Sequence, residues 1–72
     1  MRVRIVGWKV GFQKISLNKL LREYNKEFSL SAAKKAVDDI LENKPVEFKL
    51  DVDLAKDFAT KACSIGAIIE LD

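Results

Sequence analysis

The sequence predicts an α+β domain of two layers, ordered β-α-α-β-α-β, with three helices on one face of a three-stranded antiparallel sheet. Three observations predict it. Apolar residues alternate with a period of two in three short segments, they recur every three to four residues in three longer ones, and the changes of period fall at caps, glycines and a proline. At 72 residues the chain is a single domain spanning 1–72, and a domain of this size buries roughly 60% of its unfolded surface, enough for one small core.

The first segment, "RVRIVGW", sets Val3, Ile5 and Gly7 on one side and Arg2, Arg4, Val6 and Trp8 on the other, which is a strand. "KVGFQ" follows as a loop, in which Gly11 takes backbone angles closed to other residues. From Ile15 the period changes, and Leu17, Leu20, Leu21, Tyr24 and Phe28 fall on one face of a helix. Ser29 or Ser31 caps a second helix, with Leu30, Ala33, Val37, Ile40 and Leu41 inward and an end near Asn43, ahead of Pro45. "PVEFKL" alternates again, with Val46, Phe48 and Leu50 on one side. Asp51 or Asp53 caps a third helix whose inward side is Leu54, Phe58, Ala62 and Ile65, with Cys63 as inert filling between core positions. Gly66 ends that helix in a left-handed residue, and "AIIEL" is the last strand. Such a sheet is too small to be covered twice, so the helices share one face. The β-α-β unit at the C-terminal end predicts a right-handed crossover, with the first strand lying antiparallel between its two strands.

Composition narrows the function. An apolar fraction of 49% and a charged fraction of 33% describe a soluble globular domain. No apolar run approaches the ~20 residues of a bilayer span, so no membrane partner is expected. "MRVRIVGWKV" is interrupted by Lys9 and lacks a small-residue cleavage site, so it reads as mature structure. A single cysteine forms no internal disulfide, which points to the reducing cytoplasm. There is no histidine, the commonest general base and zinc ligand, and Cys63 therefore has no partner base. The expectation is a non-enzymatic protein without cofactor or metal. Gly7 and Gly11 have the wrong spacing for a phosphate-binding loop.

Charge is unevenly laid out. Residues 1–35 hold nine Lys/Arg against two Asp/Glu, or +7, and residues 36–72 hold four against nine, or −5. The halves either form separate basic and acidic surfaces or neutralise each other across the fold. Within "KISLNKLLRE", Lys14, Asn18, Arg22 and then Lys26 are spaced by four, and Lys19 joins Arg22 and Lys26, so they lie opposite the leucine face. The second helix carries Lys34 and Lys35 early and Asp38, Asp39 and Glu42 late, against the preference of the helix dipole. Pairing of Lys34 with Asp38 and of Lys35 with Asp39 would offset part of that penalty. Stability alone does not select this order, whereas a binding surface shared with the preceding helix does. The plainer reading is that these charges simply keep the surface wet.

"GFQKISLNKLLRE", then "LSAAKKAVDDILE", Pro45, a D-x-D cap and "IGAIIEL" together resemble the C-terminal domain of the bacterial ribosomal stalk protein. The resemblance spans essentially the whole chain, and its most specific part is the K-I-x-x-x-K-x-x-R-E spacing. It implies the same β-α-α-β-α-β fold and a two-helix face that meets the GTPase elongation and initiation factors. On that footing Lys14, Lys19 and Arg22 match cationic contacts, Ile15 an aliphatic one, and Lys34 the lysine of the second helix. Asn18 replaces an aliphatic contact, and "NKEFSLS" replaces a glycine-rich turn. The first strand follows Met1 directly, so the resemblance implies a free-standing relative without the stalk's dimerisation domain and hinge. The ClpS peptide adaptor is similar in fold, but its aspartate-rich motif and histidine do not occur here.

Two classes of function follow. One is an interaction module whose basic face receives an acidic protein surface, such as a translation GTPase. The other is nucleic-acid binding by the basic half, which lacks aromatic residues interleaved with the cations. Trp8, beside Val6 and expected partners Glu47, Lys49, Ile68 and Glu70, marks either a docking or self-association patch or a ring covered by aliphatic stems. The chain is expected to be a monomer or a weak homodimer.

Overall fold

The computed structural model describes residues 1–72. Strand β1 runs Arg2–Trp8, helix α1 Lys14–Tyr24, helix α2 Leu30–Leu41, strand β2 Val46–Lys49, helix α3 Val52–Ser64 and strand β3 Ala67–Leu71. The α+β order β-α-α-β-α-β is the one the two periodicities predict. The sheet order is β2-β1-β3, and β1 is antiparallel to both neighbours.

The ends of the elements have local causes. Ser29 caps α2, its hydroxyl accepting the Ala32 N–H at 3.1 Å. That helix stops where Asn43 takes a φ of 65°, a left-handed angle asparagine tolerates, just before Pro45. Gln13 leads into α1 without capping it, because its side chain instead accepts the Ser16 hydroxyl at 3.2 Å. Asp51 precedes α3 but makes no side-chain cap bond, so neither aspartate plays the expected capping role by hydrogen bonding.

The core takes Val3 and Ile5 from β1, Leu17, Leu20 and Leu21 from α1, and Ala33, Ala36, Val37 and Ile40 from α2. α3 adds Ala55, Phe58 and Ala62, and β3 adds Ala67. Four rings thread through it: Phe28 meets Phe48 at 5.5 Å, Phe48 meets Phe58 at 5.3 Å and Phe58 meets Tyr24 at 5.6 Å, all edge-on.

Two inward expectations are corrected. Leu54 is 44% exposed, and Ala55 is buried in its place. Phe58 already fills the depth between α3 and the sheet, so the helix closes onto β1 and β3 over the methyl groups of Ala55 and Ala62, and the bulkier leucine turns out. Cys63 is exposed rather than filling, since it sits about 100° around the helix from Ala62. Phe28 lies beyond α1, in the connection, yet still packs on the core.

The outer face of the sheet is a charge ladder. Arg4 pairs with Glu47 at 3.1 Å and Glu70 at 3.8 Å, and Arg2 pairs with Asp72 at 2.6 Å and Glu47 at 3.8 Å. Each exposed pair contributes at most about 1 kcal/mol, so the ladder distributes charge more than it stabilises. Beyond Ile5 the register with β3 shifts, setting Gly7 against outward Ile68 and Trp8 against buried Ala67. Opposed residues share a face of the sheet, so Trp8, 40% exposed, stands on the helix side and not beside Arg2 and Arg4 as the unbroken alternation predicts. Its ring tilts against Phe12 with ring centres 6.3 Å apart.

On the helix side, the Tyr24 hydroxyl donates to Asp57, whose carboxylate also pairs with Lys61 at 3.5 Å. The ammonium of Lys61 lies 5.3 Å from the centre of the Tyr24 ring. The Tyr24 hydrogen bond, helped by Lys61, holds the Asp57 carboxyl below its ordinary 3.8. Tyr24 first, and then the Asp57 carboxylate, raise Lys61 above its ordinary 10.5. A depressed carboxyl stabilises the fold above its unfolded pKa and loses that contribution as pH falls through the folded one. A raised ammonium stabilises below its unfolded pKa and loses that contribution as pH rises through the folded one. The difference in melting temperature between wild type and Asp57→Ala is therefore expected to be widest near neutrality. It should close below about pH 3.8 and narrow above 10.5. A pH-independent gap would show that the cluster acts by packing alone.

Candidate functional site

The first half's nine cations separate into two sets. Arg2 and Arg4 are taken up by the acids of the second half across the sheet. Lys9, Lys14, Lys19, Arg22, Lys26, Lys34 and Lys35 form no ion pair. Neutralisation thus occurs on the sheet face and leaves the helix face basic.

That basic side has a shape. α1 and α2 flank a groove of about 520 Å³. From α1 it is lined by Lys14, Ile15, Asn18, Lys19 and Arg22. From α2 it is lined by Leu30, Ser31, Lys34, Val37 and Asp38. The i, i+4 spacing of Lys14, Asn18 and Arg22 produces a row along α1, and Lys34 reaches the same space from α2. All five residues singled out from the sequence (Lys14, Ile15, Lys19, Arg22 and Lys34) therefore line one groove.

Within the groove, Arg22 Nε donates to Asn18 Oδ1 at 2.9 Å. Asn18 so orients the guanidinium along α1 while leaving its remaining donors free for a carboxylate. Ile15 and Leu30 stand 70% and 63% exposed at the groove's sides. Neither helix carries an acidic residue in its first turn, so the positive ends of both helix dipoles add to the field of the side chains. Four cations face one carboxylate, Asp38, in the lining. The arrangement can hold a convex acidic surface through Arg22 and the lysines while two aliphatic side chains supply apolar contact.

The expected pairs Lys34–Asp38 and Lys35–Asp39 do not form, which corrects that part of the sequence reading. The cause is orientation. A cation placed four residues before an anion is the weaker order on a helix, and aspartate is short. The favourable order, anion first, does close at Asp57–Lys61. Lys34 consequently stays free.

Leu30, also expected in the core, is a third inward placement that the structure corrects. It is in phase with Ala33 and Val37 but occupies the first turn of α2, where the neighbouring helix leaves an open groove instead of a packed contact. Its position directly after the Ser29 cap is the signal that could have found it, since first-turn residues lack a preceding turn to shelter them.

The residues hold no cluster of metal-ligating side chains, and no helix is long and apolar enough to cross a membrane. Comparison with known protein families, with characterised proteins and with solved structures found no match to this chain.

Proposed function

We propose that this chain is a non-enzymatic protein-interaction domain of the cytoplasm whose α1–α2 groove receives an acidic protein surface. The observation that carries the reading is that Lys14, Lys19, Arg22 and Lys34 line one groove beside exposed Ile15 and Leu30, and none of these cations is engaged in an ion pair. Unpaired cations beside exposed aliphatics favour a protein over a nucleic acid, because the lining contains no aromatic on which a base could stack. The resemblance to the stalk domain makes a translation GTPase the first partner to try.

Lys19→Glu combined with Arg22→Glu is the test. Capture from cytoplasmic extract identifies a partner, and titration of that purified partner against both proteins follows. The double reversal is expected to weaken binding on the order of 10–100-fold, mainly through the association rate. Wild-type affinity should fall as salt rises, and less steeply in the variant. Unchanged affinity and salt slope would remove the reading, and tight binding of random RNA at low salt would replace it.

A further inference from the structure

We propose that two copies of this chain join their sheets through β3, antiparallel about a twofold axis at Ile69, leaving both α1–α2 grooves open. The inference does not rest on the groove. It starts from which backbone groups the sheet leaves over. Arg2 and Asp72 exchange both backbone hydrogen bonds at 3.0 Å, so they form a bonded pair of the antiparallel ladder. Alternation along β3 then turns the amide groups of Ala67, Ile69 and Leu71 away from β1, toward the open edge.

The two edges of this sheet differ. β2 is four residues long, follows Pro45, and points Glu47 and Lys49 outward from its backbone, the features that blunt an edge. β3 reads AIIEL, carries neither lysine nor proline, and has its one charge, Glu70, engaged by Arg4. Its Ile68 and Leu71 are each 38% exposed. An edge of this kind is a template for another strand.

Charge selects a second copy as that strand's source. The sheet face beside β3 balances Arg2, Arg4 and Lys49 against Glu47, Glu70 and Asp72. α3, which packs over β3, balances Asp53 and Asp57 against Lys56 and Lys61. Two copies meeting here bring no net charge together, whereas meeting by their α1–α2 sides would oppose the same unpaired cations. Register follows from the same rules. Centring on Ile69 sets Ala67 against Leu71, so that every outward amide of β3 finds a partner, and sets Ile68 against Glu70. Centring on Glu70 would place two carboxylates opposite each other, and centring on Ile68 would strand Leu71. The groove draws no residue from α3 or β3, so pairing leaves it accessible in both copies.

Sedimentation equilibrium of the whole chain over a range of concentrations tests the proposal. The weight-average mass is expected to climb from one chain toward two. Ile69→Pro removes an outward N–H that the chain's own sheet does not use, and is expected to weaken association roughly tenfold or more. Ile68→Asp, brought against Glu70, is expected to weaken it too, and Ile68→Lys to tighten it, with the difference shrinking in salt. A spin label on Cys63, the single exposed cysteine, should report an intermolecular distance that Ile69→Pro abolishes. If circular dichroism shows that Ile69→Pro does not fold, the opposite responses of the two Ile68 variants decide. A mass that stays at one chain at every concentration overturns the proposal and leaves the edge to an extended segment of another protein. A dimer indifferent to the sign of charge at position 68 overturns it equally.

Discussion

Phe58→Ala is expected to lower the stability of this domain by about 3–5 kcal/mol, the range for removing a buried phenylalanine. Domains carry about 0.05–0.15 kcal/mol per residue, which for this length is roughly 4–11 kcal/mol in total. One substitution thus removes about a quarter or more of what holds the chain folded. Phe58 is fully buried and is the largest side chain in that condition. Its ring touches Phe48 of β2 at 5.3 Å and Tyr24 of α1 at 5.6 Å, and Phe48 in turn meets Phe28 of the α1–α2 connection. Deleting it takes away two edge-on contacts of about 0.5–1.5 kcal/mol each beyond the apolar area. The flanking core residues on α3 are Ala55 and Ala62, too short to move into the space. A loss near 4 kcal/mol corresponds to a fall of roughly 15–30 °C in melting temperature for a domain of this size. Urea unfolding followed by Trp8 fluorescence and by circular dichroism measures it. A loss under about 1 kcal/mol would mean that α3 collapses onto the sheet, contrary to the packing described.

The elements were legible because period and punctuation agreed. In β1 the alternation of Val3 and Ile5 with Arg2 and Arg4 survives unchanged in the burial of those residues. In α2 the serine cap, the stripe from Ala33 to Ile40 and the stop at Asn43 coincide with the helix. Sheet order was legible too, since a β-α-β unit with a preceding strand between its halves leaves few alternatives. What periodicity could not decide was phase within an apolar run. Leu54 and Ala55 differ by one residue, and either continues to Phe58 at helical spacing. Only the thickness of the layer that Phe58 occupies selects the alanine.

The groove was half legible. Spacing along α1 brought Lys14, Lys19 and Arg22 together on one polar side, and the same side lines the groove. The α2 contribution depended on the crossing of two helices, which no one-dimensional pattern contains, and so Leu30, Ser31 and Asp38 were read as a core residue, a cap and an ion-pair partner, not as groove lining. Charge totals also hid something. The basic half loses Arg2 and Arg4 to acids far along the chain, because antiparallel pairing brings Asp72, Glu70 and Glu47 beside β1. The cations that remain free are those whose elements have no acidic strand beside them.

Gly66→Ala is the second substitution with a large expected effect, about 3 kcal/mol from backbone strain and overpacking together, and it discriminates two kinds of cost within one protein. Gly66 has a φ of 96°, where a side chain strains the backbone by about 1–2 kcal/mol. A Cβ there would also stand 2.8 Å from Phe12 Cα and 3.2 Å from Phe12 N, against main chain that cannot swing aside. The neighbourhood is held from both sides: Lys9 N–H donates to the Gly66 carbonyl at 2.8 Å, and Gln13 N–H to the Ile65 carbonyl at 2.9 Å. Gly11 is the control. Its φ is 89°, yet nothing lies within 4 Å of an added Cβ, so Gly11→Ala carries the conformational cost alone. Equilibrium unfolding is expected to rank Gly66→Ala well below Gly11→Ala, with the difference measuring displacement of the loop. Because the Phe12 ring lies tilted against Trp8, that displacement should also shift Trp8 emission in the folded Gly66→Ala protein. Lys14 and Ile15 follow Phe12 by two and three residues at the start of α1, so a moved loop moves one wall of the groove. Equal losses for the two glycines would mean that Phe12 yields freely, and the junction between the β1–α1 loop and the α3–β3 turn would then have no part in positioning the basic face.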